Sequence, residues 1–145
     1  MGIPLDAKVF GCYAGSTEFN INFVKEVISK VVREDENTYF IFMNIPSFDD
    51  HERVMFLPAN YDLMEKSKFV NTCDFMIHAR YGGETFGLAC SEFALSNKPV
   101  ITYGDSGEKC HIDILGEYGI YYYNSEDLYD IFKNTQSYVK FTDYA

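Results

Sequence analysis

Two glutamates, Glu84 and Glu92, stand eight positions apart behind a glycine pair, Gly82 and Gly83, and an arginine, Arg80. The surrounding stretch, Asp74 to Thr102, reads as strand, glycine turn, helix, strand. A strand that runs through a tight turn into a helix N-terminus offers unpaired amides and about half a positive charge to an anion. Carboxylates beside such a place serve hydroxyl groups. A helix rises ~1.5 Å per residue, which sets the two glutamate backbones roughly 12 Å apart. That is comparable to the reach of a nucleoside diphosphate sugar from ribose to sugar. One acid could hold ribose hydroxyls and the other sugar hydroxyls, with amides near Phe86, Gly87 and Leu88 facing the phosphates.

Each residue also has a plainer reading. Glu84 could be a first-turn acid that favours the helix dipole, and Glu92 a solvated helix residue. His78 ends an apolar strand and reads as a satisfied core histidine. Arg80 could pair with a surface acid, and Tyr121, Tyr122 and Tyr123 read as strand packing. Singly, none compels a function.

The elements that must position these residues alternate regularly. Strands are expected at Lys8–Tyr13, Tyr39–Asn44, Val54–Leu57, Phe75–His78, Pro99–Tyr103 and Ile120–Tyr123. Helices are expected at Asn20–Glu34, Asp62–Cys73 with Asp62 as N-cap, Thr85–Ser96, Cys110–Leu115 and Ser125–Asn134 with Ser125 as cap. The apolar runs lack two-residue alternation, as in strands buried on both faces. The fold class is therefore α/β: a Rossmann-like parallel sheet with helices on both faces. Residues 1–136 form one domain, and 137–145 a weakly patterned tail.

The chain has 145 residues, enough for one domain with a sizeable core. Its net charge of −10 argues against nucleic acid and acidic membranes as partners. No apolar run approaches the ~20 residues of a spanning helix. The opening Met1–Asp6 has neither a basic nor an apolar segment and reads as no signal peptide. Four cysteines (Cys12, Cys73, Cys90, Cys110) show no C-x-x-C spacing. They imply a reducing, cytoplasmic setting without disulfides or a zinc site.

Ligands of open parallel sheets sit beyond the carboxyl ends of the strands. Arg80 and Lys109 fall on that edge; Lys8 and Lys98 fall on the opposite one. Lys25, Lys30 and Arg33 lie along the first helix. The favoured edge carries the loop with Gly15 and Ser16, the segment after Asn44, Pro58 to Asn60, Arg80 to Glu84, and Gly104 to Lys109.

Taken together, Glu84-Thr-Phe-Gly-Leu-Ala-Cys-Ser-Glu92 and the following Asn97-Lys-Pro-Val-Ile-Thr102 resemble the E-x7-E signature of retaining GT-B glycosyltransferases, in particular family 4. Val9–Tyr13 with Gly15 resembles the opening strand and loop of that family's second domain. Asp74–His78 resembles its later strand, and Gly2-Ile-Pro the end of the interdomain linker. The resemblance implies one half of a GT-B fold, the donor-binding half, with a UDP- or GDP-linked sugar as donor and no metal or other cofactor. Glu84 would then act catalytically beside the reacting sugar carbon, and Glu92 would hold the ribose. Thr85, Phe86, Gly87 and Leu88 would meet the sugar and diphosphate, Gly15 and Ser16 would line the phosphates, and Pro58 would lie near the base. The family's first loop carries an Arg and a Lys, whereas Tyr13–Phe19 has neither and carries Glu18. Arg80 is the candidate substitute, with Lys109 second. The acceptor domain, or the rest of a longer chain, would be the partner.

Three rivals remain on the sequence. One is a GT-B-like sugar-nucleotide epimerase or phosphorylase, and another is a degenerate domain serving as a partner-binding or structural module. A response-regulator-like domain would want paired acids at the end of the first strand, where Gly11-Cys-Tyr13 has none.

Overall fold

A computed structural model describes residues 2–15, 17–84 and 88–139. Among these, six strands form one parallel sheet, β1 (Lys8–Tyr13), β2 (Thr38–Met43), β3 (Val54–Leu57), β4 (Phe75–Ile77), β6 (Val100–Tyr103) and β8 (Ile120–Tyr122), and β5 (Gly83–Glu84) and β7 (Glu108–Lys109) pair apart from it. Their order is β3-β2-β1-β4-β6-β8. Lys8 pairs with Thr38 across β1 and β2, and Phe10 with Phe75 across β1 and β4. The helices are α1 (Asn22–Glu34), α2 (Leu63–Thr72), α3 (Leu88–Leu95), α4 (Cys110–Leu115) and α5 (Ser125–Lys133). None is long and apolar enough to cross a membrane.

The inner strands are buried along nearly their whole length, which is why their sequences are continuous apolar runs. Phe10 shows how one face is filled. Its ring stacks on Phe40 and Phe75, each at 5.2 Å between centroids, and meets Phe132 of α5 edge-on at 4.8 Å. Val24, Val27, Ile28, Val31 and Val32 turn the buried stripe of α1 inward beside α5. The opposite face of β1 receives α2 so closely that a Cβ on Gly11 would lie 2.4 Å from the Cys73 sulfur. Helices thus cover both faces, as the alternating pattern predicts.

Several ends differ from expectation by a residue or two, each for a local reason. Asn20 is outside α1 because its amide donates to the Ala79 carbonyl at 2.8 Å. Tyr123 leaves β8 because its amide donates to Asp127 Oδ2 at 3.1 Å. The cap of α5 is Asn124 and not Ser125: the Asn124 side chain accepts from the Asp127 amide at 2.8 Å. Asp62 does cap α2, accepting from the amides of Met64 and Glu65. After α5 a short 3-10 turn spans Thr135–Ser137, and the Tyr138 hydroxyl donates back to Asp130.

Candidate functional site

From β1 the chain builds outward through β2 and β3; from β4 it builds the other way through β6 and β8. The loops after β1 and β4 therefore part at the carboxyl ends of adjacent strands, and the crevice between them is where such sheets take ligands. Asn20 ties the two loops together. Besides its bond to Ala79, its Oδ1 accepts from the Tyr81 amide at 2.9 Å.

The loop after β4 closes on itself through the Gly83 amide and the Arg80 carbonyl, 3.1 Å apart. It then forms a two-residue strand, β5 (Gly83–Glu84), parallel to β7 (Glu108–Lys109), with Glu84 opposite Lys109. The Gly107 amide donates to Tyr81 at 3.0 Å and the Glu108 amide to Gly82 at 2.6 Å. Gly83 is required here: its φ is +70°, and a Cβ would fall 1.8 Å from the Glu108 carbonyl oxygen. This small ladder, absent from the sequence reading, brings Arg80, Glu84 and Lys109 onto adjoining backbone.

The ladder also corrects one expectation. Glu84 belongs to a strand and not to the first turn of a helix, so the dipole alone does not account for it. Since Glu84 pairs in β5, the spacing of the two glutamates does not begin as a helical rise. Ser16, Thr85, Phe86 and Gly87 lie outside the described residues, as do the side chains of Glu84 and Leu88.

Glu92, on α3, accepts a hydrogen bond from the hydroxyl of Tyr13, the last residue of β1. Burial above all, and then this bond, pushes the phenol well above its ordinary value, so it stays a donor. A carboxylate has several lone-pair sites, and Glu92 retains capacity for further hydroxyls. The Tyr13 ring also carries Lys66 Nζ at 4.7 Å from its centroid and packs against Phe93 at 5.7 Å and Phe69 at 6.2 Å. Phe69 in turn lines a hollow of about 220 Å³ beyond the ends of β2 and β3, together with Leu57, Pro58 and Asn60. Pro58 and Glu92 are thus linked through Phe69 and Tyr13. A larger hollow, about 340 Å³, lies between α1 and α5 and contains none of the sequence candidates.

Gly15 and Arg80 meet through Glu18. The Gly15 amide donates to Glu18 Oε2 at 2.9 Å, and Arg80 Nη1 stands 3.7 Å from Glu18 Oε1. The sequence marked Glu18 as a departure in the loop but gave no sign that its carboxylate folds onto Gly15. His78 is a core residue, as expected: it is buried, its Nδ1 lies 2.8 Å from Thr102 Oγ1, and its carbonyl accepts from the Tyr122 hydroxyl at 2.7 Å. The cysteines are free thiols, and burial pushes Cys73 up to about 12.

No protein-family model and no curated protein matches the chain. Solved structures share its fold. A crystal structure of Anabaena HepE in complex with UDP-glucose superposes over 92% of this chain with a TM-score of 0.70 and 16% identity. The C-terminal domain of a group 1 glycosyl transferase, LpcC, from Francisella tularensis superposes over 94% with a TM-score of 0.70 and 15% identity. A glycosyltransferase from Rickettsia africae gives 92%, 0.69 and 16%. The chain spans 41% of the HepE structure, 38% of the Rickettsia one and 81% of the LpcC domain. Its architecture is the Rossmann-like half-domain of these GT-B structures.

Proposed function

We propose that this chain is the donor-binding domain of a retaining glycosyltransferase of the E-x7-E type. It would take a nucleoside diphosphate sugar, UDP- or GDP-linked, and a partner domain would present the acceptor hydroxyl. The observation that carries the reading is the convergence of Gly15, Arg80, Gly83 and Glu92 at the crevice where the strand order reverses. The shared fold supports it, since one structure of that fold is described as a complex with UDP-glucose.

In this reading Glu92, steadied by Tyr13, accepts from the two ribose hydroxyls. The base occupies the hollow rimmed by Pro58, a short step from Tyr13. The resemblance assigns the diphosphate to Gly15, Ser16, Phe86, Gly87 and Leu88, and Arg80 and Lys109 offset its charge. The resemblance assigns the sugar to Glu84 and to the residues from Thr85 to Leu88. Transfer requires charge to build on the departing diphosphate, and fixed donors aimed at it lower that barrier without reorganising. No metal is needed for this, so a chelator leaves donor affinity unchanged.

Calorimetric titration of the folded chain with UDP- and GDP-sugars tests the proposal. Saturable binding of one of them is expected, with little turnover by the chain alone because half of the cleft belongs to another domain. A folded sample that binds no nucleotide would leave instead a degenerate module that serves a protein partner.

A further inference from the structure

The crevice already contains an anion supplied by the chain. Glu18 folds back so that its own amide donates to the Gly15 carbonyl at 3.0 Å. Its carboxylate then receives the Gly15 amide at 2.9 Å and faces Arg80 at 3.7 Å. The approach is close enough that a Cβ on Gly15 would lie 2.9 Å from Glu18 Cδ. A backbone amide on one side and a guanidinium on the other are the partners a phosphate oxygen takes.

We propose that Glu18 is an internal stand-in for a phosphate and sets the crevice's affinity for anionic ligands. A nucleoside diphosphate must displace the carboxylate before it can reach the Gly15 amide and Arg80. This rests on the donor-binding reading above and adds to it a residue that opposes the donor. Displacement is feasible because the hold is slight. The ion pair is long, and the two side chains remain 34% and 37% exposed, which makes it weak. The Glu18 amide, and Asn20 through both its amide and its side-chain oxygen, tie the loop without the carboxylate. Only the phosphate end of a ligand meets this obstacle, so a bare nucleoside is indifferent to it.

The test compares UDP with uridine, and GDP with guanosine, on the wild-type chain, Glu18→Gln and Glu18→Ala, with melting curves to establish folding. The contact itself is weak, so the gain comes mainly from removing a negative charge beside the bound diphosphate, which corresponds to about a ten-fold change. Glu18→Ala is expected to bind the diphosphate about ten-fold more tightly than wild type. Glu18→Gln, which keeps an acceptor without the charge, falls between, and nucleoside affinity is unchanged. Diphosphate affinity that is unchanged or weaker in Glu18→Ala overturns the proposal, as does an equal gain for the nucleoside. If neither wild type nor Glu18→Ala binds either diphosphate, the donor-binding reading itself fails and this inference falls with it.

Discussion

Among the described residues, two arginine–carboxylate pairs have opposite character. On the outer side of α1, Arg33 grips Asp49 through two bonds of 2.8 and 2.9 Å, and Asp49 also accepts from the Ser29 hydroxyl and the His51 amide. These contacts, led by Arg33, hold the Asp49 carboxyl well below the usual carboxylate range. At the crevice, Arg80 stands 3.7 Å from Glu18, which has one amide besides. The first pair has its partners in place and closes the segment that follows β2 against α1. The second is a single long contact at the very edge where a ligand would arrive. Tight ion pairs fasten structure; a loose one beside a backbone amide can be exchanged.

That contrast depends first on the loop that carries Arg80. Gly83→Val forces a branched side chain into the space of the Glu108 carbonyl at a positive φ. It should cost ~3 kcal/mol or more and abolish nucleotide binding, read by melting and calorimetry. Wild-type melting and binding would show that the β5–β7 ladder does not hold the site. Next in size, Glu92→Ala should weaken nucleotide binding by ~1–3 kcal/mol, the cost of an unmade bond to a charged group. Unchanged affinity would reduce Glu92 to an anchor for Tyr13.

The tight pair should show up in stability alone. Asp49→Asn is expected to lower unfolding free energy by ~1–2 kcal/mol in urea titrations at neutral pH, with nucleotide affinity unaltered. Since the folded-state carboxyl lies below its unfolded value of ~3.9, its contribution is complete above that pH and fades as pH falls further. The difference between wild type and variant should therefore shrink on acidification below about pH 4. A constant difference across that range would mean that Asp49 acts through packing and not through charge. The smallest effect belongs to the loose pair: Glu18→Ala should move stability by less than ~0.5 kcal/mol. A loss comparable to that of Asp49→Asn would make Glu18 structural and end the comparison.

Much of the frame was legible because continuous apolar strands and a valine stripe at helical spacing leave few alternatives. Phe10, Phe40 and Ile101 belong to runs buried on both faces, and Asp62 capped its helix as its position implied. Gly82 and Gly83 announced a turn. Three features were not legible. The β5–β7 ladder pairs segments of two residues each, too short for any period. Tyr13 and Glu92 are 79 positions apart, and nothing local in either announces the other. Glu18 could be seen as an acid in the wrong loop, but its fold onto Gly15 follows from a backbone turn and from the tie through Asn20. The cap of α5 slipped by one residue because Asn124 and Ser125 are both good caps, and extended backbone at Asn124 decided between them.

The most direct measurement is a backbone-amide resonance titration with UDP- and GDP-sugars. The account predicts saturable shifts at Gly15, Arg80, Gly83, Glu92 and Lys109, on both sides of the crevice where β1 and β4 end. Shifts gathered instead at Glu26, Lys30 and Tyr129, in the hollow between α1 and α5, would contradict it.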